Sequence, residues 1–276
     1  MKNRSITEKL PVLFLDSGIG GIPYCRHFLM RNPNERTVYL ADRLHFPYGE
    51  KGREEIAEII IDITERTVKI FNPKIVILSC NTASVSALTQ LRQRFPSLPF
   101  VGTVPAIKPA ALSSKTGKIG VLGTELTVKE PYIRSLADKN GGGEIISVAA
   151  PELVEFVERK ISSATKEEKE EAARHYIDRF RHAGADVIVL GCTHFLFLIN
   201  EFKNESSPEI TVFDSVEGVT RQTESILTKI YANEKKESND SFSNNLFLLT
   251  GKSKPEPSWE YWANYLDFDI SLLEEE

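Results

Sequence analysis

Cysteine is scarce in this chain: three residues among 276, at positions 25, 80 and 192. An odd number that small excludes a disulfide scaffold, so reduced thiols are expected. No CxxC, no HExxH and no close group of histidines and cysteines is present, which excludes the usual spacings of a structural zinc site; no metal is expected. There is no run of ~18 apolar residues to cross a membrane. The start of the chain passes directly into a strand-like run without a signal-peptide apolar region, so a cytoplasmic location and no membrane association are expected. Basic charge is not in excess either: 34 Lys and Arg stand against 39 Asp and Glu, a net charge of −5. Nucleic acid and anionic lipid are poor partners for such a chain, and a small molecule is favoured.

What is present is a rhythm. Short apolar runs, many of them β-branched, recur at 12–15, 37–41, 75–79, 118–122, 144–148, 186–190, 210–213 and 246–249. Helical periodicity fills the gaps between most of them, as in GREEIAEIIIDITERTVKIF and TKEEKEEAARHYIDRFRHAG. Apolar strands without clean alternation, separated by helices, predict parallel sheets covered on both faces, and hence an α/β fold. The proline-rich segment 96–110 interrupts the rhythm, and a similar change falls near 204–215. KIGVLGTELT also answers PVLFLDSGIG, with a cysteine strand following each at a similar distance. Two similar α/β domains are therefore expected. The first comprises 1–103 plus 213–276 and the second 104–212, with a cleft between them. The polar stretch 233–245 reads as a surface loop.

In parallel sheets, ligand-binding groups sit at the carboxyl ends of the strands. DSGIGG, ADRLHFPYG, CNTAS, GTELT and CTHF all fall at such ends. DSGIGG has the glycines of a tight strand-to-helix turn, but with Gly18, Gly20 and Gly21 it fails the GxGxxG dinucleotide pattern, and no GK[ST] follows. Cys80 and Cys192 occupy matched positions, each after a buried strand and before a helix. A helix start is expected to lower a thiol pKa toward neutrality. Two equivalent thiols do not suit a Cys-His protease, which needs one thiol, an orienting base and an oxyanion hole. They suit removal of a proton from one face of a carbon and its return to the other, which is racemisation. His194 is placed to serve Cys192 as a proton shuttle, and Asp16 to serve Cys80. Cys25 reads as a small buried hydrophobe. The histidines at 27, 45, 175 and 182 read as structural, with His45 alone near the candidate site.

Taken together, DSGIGG, PYG, SCNTAS, the two threonines of GTELT and LGCTH resemble the cofactor-independent glutamate racemases of the aspartate/glutamate racemase superfamily, over a span from about residue 11 to 251. The resemblance implies two α/β domains with the active site in their cleft, and no cofactor: neither PLP nor metal. It also implies a homodimer that supplies D-glutamate for bacterial peptidoglycan from L-glutamate. Carried over by position, it makes Cys80 and Cys192 the acid/base thiols, with Asp16 and His194 assisting them. Ser17, Asn81, Thr82 and Thr193 are implied to hold the amino acid's polar groups, with backbone from Pro47, Tyr48 and Gly49. Thr124 and Thr127 lie near the side-chain carboxylate in this scheme, and Glu158 near the second thiol. Three positions depart from the family's pattern. Arg43 stands where a small hydroxyl residue is usual and reads as an exposed cation, with tuning of substrate entry as the alternative; Leu196 replaces a proline, and Ala150 a cysteine. The alternatives are a racemase of another acid in the superfamily, such as aspartate, an enzyme acting on a hydantoin or a malonate-like acid, or a non-catalytic amino-acid-binding regulator.

Overall fold

The computed structural model describes residues 10–230 and 245–273; most of the polar stretch 233–245 lies outside them. Among the described residues, ten strands build two sheets. The first holds β1 (Val12–Asp16), β2 (Thr37–Ala41), β3 (Ile75–Leu78), β4 (Phe100–Gly102), β9 (Leu246–Leu249) and β10 (Asp269–Leu272), in the order β10-β9-β2-β1-β3-β4. The second holds β5 (Lys118–Gly123), β6 (Glu144–Ala149), β7 (Val187–Gly191) and β8 (Thr211–Phe213), in the order β6-β5-β7-β8. Each strand pairing among the described residues is parallel. The order β2-β1-β3-β4 is reproduced by β6-β5-β7-β8, so the likeness of the two halves extends to topology. Under this correspondence β3, which delivers Cys80, matches β7, which delivers Cys192.

The strands are apolar because helices cover both faces. VLFLD, IVIL and VIVLG are buried at every position, the pattern of strands that never meet water. Helix Arg53–Phe71 turns Ile56, Ala57, Ile60, Ile63, Thr64 and Thr67 inward at helical spacing and ends on Asn72 in the left-handed region. Helix Lys166–Ala183 is set by a capping box, in which the Thr165 side chain accepts from the Glu168 N–H while Glu168 accepts from the Thr165 N–H. Its Ala173, Tyr176, Ile177 and Phe180 are buried. Gly120 in β5 leaves room for the Phe180 ring; a Cβ there would lie 2.6 Å from Phe180 Cδ1.

Two strands escape the sequence pattern. β4 has only three residues, within the proline-bounded PFVGTVP, and β10 is a sheet edge whose residues alternate between exposed and half-buried. Neither makes an apolar run long enough to stand out. The strand ends are aligned by register: Asp16 pairs with Ala41 and Leu15 with Leu78, while Gly123 pairs with both Ala149 and Gly191. The loops that follow thus leave each sheet at one level.

Phe180→Ala is expected to cost roughly 3–5 kcal/mol, because it opens a cavity beneath a fully buried ring. Urea unfolding measures this; a loss below about 1 kcal/mol would mean that the second sheet's core does not rest on this residue.

Candidate functional site

A cavity of about 410 Å³ opens at the carboxyl ends of both sheets. Ser17 comes from the loop after β1, and Phe46, Pro47, Tyr48, Gly49 and Glu50 from the segment after β2. Cys80, Asn81 and Thr82 follow β3, Thr124, Glu125 and Lys129 follow β5, and Cys192, Thr193 and His194 follow β7. All five strand ends singled out in the sequence contribute. A sixth was missed: Pro151, Val154 and Glu155, from the helix after β6, also line the cavity. The segment AAPELVEFVE carries no run of unusual polar residues, and the resemblance singled out its Ala150 and Glu158 but not the three residues that line the cavity.

Cys80 is the N-cap of helix Asn81–Arg94, and its Sγ accepts from the Ala83 N–H at 3.5 Å. Its pKa nevertheless runs opposite to the expected lowering. Burial, reinforced by the charge of Asp16, pushes the thiol well above its ordinary value, and the N–H groups of Ala83 and Thr82 offset this only in part. Cys192 is followed by a 3-10 turn, Thr193–Leu198, rather than by an α-helix, and receives no capping bond. Its partner is a side chain: Sγ lies 3.8 Å from His194 Nδ1. His194 Nε2 in turn lies 2.8 Å from Glu158 Oε2. Burial works against a charge on His194, but its hydrogen bonds to Cys192 and Glu158 prevail and hold its pKa well above the ordinary histidine value.

Asp16 is fully buried and accepts from the Gly18 N–H at 2.8 Å and from Thr193 Oγ1 at 3.3 Å. Burial raises its pKa to about 7, against the opposing pull of His194 and the Gly18 N–H. The carboxylate expected to serve Cys80 is therefore hydrogen-bonded to the neighbour of Cys192, while it acts on Cys80 through its charge. Glu158 stands behind His194, off the cavity, and accepts from the Ile19 N–H at 3.1 Å. Thr127 is likewise behind the wall: the Thr124 hydroxyl donates to Thr127 Oγ1 at 3.0 Å, and Thr124 and Thr82 hydroxyls meet at 3.0 Å across the two halves.

The glycines of DSGIGG are explained by this packing. A Cβ on Gly18 would lie 2.5 Å from Glu158 Oε2, and one on Gly20 2.5 Å from Thr193 Oγ1 and 2.6 Å from His194 Nδ1. Asn81, 2% exposed, leaves both Oδ1 and Nδ2 without a protein partner, in the cavity wall. A buried amide left open in this way is matched to a polar ligand. Arg43 is not the exposed cation expected. Its side chain is 10% exposed and bonds to residues of the 250–256 segment. Leu196 and Ala150 are buried apolar positions. Cys25 is buried as expected, and His27 pairs with Glu217. Among the described residues no group of His, Cys, Asp and Glu is arranged to hold a metal, and no helix is long and apolar enough to cross a membrane.

The Asp16 shift has a consequence for stability. Its pKa is 3.8 ordinarily and about 7 in the fold, so between these values the folded state binds the extra proton. Its contribution is complete below the lower value and is lost as pH rises through the upper one. Relative to Asp16→Asn, the wild type should lose stability as pH climbs across that window and change little above it. Thermal melting of both proteins against pH checks this; parallel curves would contradict it.

Comparison with known proteins places this geometry. The Asp/Glu/Hydantoin racemase family model matches residues 30–223. Glutamate racemase of Treponema pallidum is 40% identical over 217 residues, which span 78% of this chain and 81% of the relative. The Sphingopyxis alaskensis glutamate racemase is 38% identical over 215 residues, 77% of this chain and 80% of that one. Among solved structures, Escherichia coli glutamate racemase, in complex with L-glutamate and the activator UDP-MurNAc-ala, superposes with a TM-score of 0.80 at 28% identity, covering 96% of this chain and 97% of the other. With two parallel α/β sheets meeting at a cavity that holds paired cysteines, and relatives of this likeness over most of its length, the chain belongs to the Asp/Glu/Hydantoin racemase family and is an isomerase.

Proposed function

We propose that the enzyme interconverts L- and D-glutamate, with Cys80 and Cys192 acting on opposite faces of the α-carbon. The observation that carries this is that two cysteines, delivered by topologically equivalent strands of two different sheets, line one cavity. One thiolate removes the α-proton, leaving the electron pair on carbon and the adjoining carboxylate; the opposite thiol then delivers its own proton to the other face. The two sulfurs exchange protonation states, so the product side of one turnover is the starting state of the reverse one. In this reading each lobe, residues 1–103 with 213–276 and residues 104–212, carries one thiol.

The surroundings support unequal roles at rest. Burial and Asp16 keep Cys80 protonated, whereas His194, backed by Glu158, holds the mobile proton beside Cys192. A substrate ammonium entering near Asp16 and Cys80 would lower the cost of ionising that side. The α-carboxylate and side-chain carboxylate have Asn81, the hydroxyls of Ser17, Thr82, Thr124 and Thr193, backbone from Pro47, Tyr48 and Gly49, and the positive end of helix Asn81–Arg94 to meet them. Thr127 and Glu158 act from behind, on Thr124 and His194. Glutamate is favoured over aspartate by the names of the relatives, and the substrate complex of the Escherichia coli enzyme supports it further. The same proposal includes a cytoplasmic homodimer that supplies D-glutamate for peptidoglycan without a bound cofactor.

Circular dichroism with L- or D-glutamate tests the assignment. Cys80→Ala and Cys192→Ala should each lower racemisation at least a thousandfold, about the scale of a lost acid or base. Substantial racemisation by either variant would sink the two-thiol scheme, and turnover of aspartate but not glutamate would redirect the substrate assignment. His194→Asn should slow one direction more than the other, read as a difference between the primary isotope effects for L- and D-glutamate; equal changes would remove its one-sided role.

A further inference from the structure

The segment after β2 forms one wall of the cavity through Pro47, Tyr48 and Gly49, yet it is a loop with little regular structure beyond the short 3-10 turn Tyr48–Glu50. Its shape is held by a buried carboxylate. Asp42, fully buried at the end of β2, accepts from Tyr48 Oη at 2.6 Å and from Thr250 Oγ1 at 2.6 Å, and lies 2.8 Å from His45 Nδ1. The Asp42 N–H donates to the Asp16 carbonyl at 2.8 Å, and the Leu44 N–H donates to Thr250 Oγ1 at 3.1 Å. Thr250 is therefore the hinge pin between the cavity wall and the segment after β9.

Thr250 is itself fixed by Arg43. The guanidinium donates from Nε to the Thr250 carbonyl at 2.9 Å, from Nη1 to the Lys254 carbonyl at 3.3 Å and to Glu256 Oε2 at 2.8 Å, and from Nη2 to the Ser253 carbonyl. Gly251, at φ +91°, lets the chain turn over the guanidinium, with Nε and Nη2 3.9 Å from where a Cβ would stand. Only a planar fork with several donors meets three carbonyls and a carboxylate at once, so lysine is no substitute.

We infer that Arg43 is a positioning residue for the reaction: by clamping the 250–256 segment it fixes Thr250 against Asp42, and through Asp42 it sets Tyr48 and the cavity wall that meets the substrate. This rests on the reading that the cavity binds glutamate. The test combines two readouts on the full chain. In steady-state kinetics Arg43→Ser should raise KM about tenfold for both enantiomers while kcat changes less than about twofold, because the wall binds substrate and does not move protons. Arg43→Lys should recover only part of the loss. In the Tyr48→Phe background, which already cuts the link to Asp42, Arg43→Ser should add little, whereas additive effects on KM would overturn the relay. Amide hydrogen exchange reads the clamp independently of turnover: Arg43→Ser should speed exchange in residues 44–50 as well as in 250–256. Faster exchange confined to 250–256 overturns the inference even if wild-type turnover of glutamate is normal. Absent wild-type turnover would sink the functional reading instead, leaving exchange to decide the clamp.

Discussion

The close approach of the glycine loop after β1 to Thr193, His194 and Glu158 is the contact on which the site depends. Gly18 and Gly20 let the backbone come within a side chain's thickness of the second sheet's polar groups. That approach places the Ile19 N–H on Glu158 and Thr193 on Asp16. The loops of each sheet thus complete hydrogen bonds of the other's. Glu158 is oriented by the loop after β1 while it bonds His194, and Asp16 is held by a hydroxyl adjacent to Cys192. Without that contact the two thiols would belong to two separate half-sites.

Burial gives the site its electrostatic character. Asp16, Cys80 and His194 are all removed from water: burial raises Asp16 and Cys80, whereas His194 is raised against burial by its bonds to Cys192 and Glu158. The two sides share a strand position but not an environment. Cys80 has a helix start and a nearby carboxylate, while Cys192 has an imidazole backed by a second carboxylate. Matched strand positions thus carry different hydrogen-bond surroundings.

Much of this was legible in the chain. Strands 12–15, 75–79 and 186–190 announce themselves as buried because helices cover both faces, and the motifs at their ends carry the polar groups of the cavity. The illegible parts share a cause: they depend on what another segment does. β10 is defined by its pairing with β9, and β4 by its pairing with β3. Val154 and Pro151 line the cavity because a whole helix is aimed at it. Arg43 looks like a surface cation until the 250–256 segment folds over it. The sign of the Cys80 shift was misread because the helix start visible in the sequence is outweighed by burial, which is a property of the assembled core.

The two-thiol account is tested most directly by label uptake in heavy water during the first turnovers. Starting from L-glutamate, the account predicts that the D-glutamate formed carries a solvent deuterium at the α-carbon while the remaining L-glutamate stays unlabelled, since the acid and the base are different sulfurs on opposite faces. Early product that keeps the substrate's own proton, or label entering the L-glutamate pool as fast as the product, would point to one shared base and contradict it.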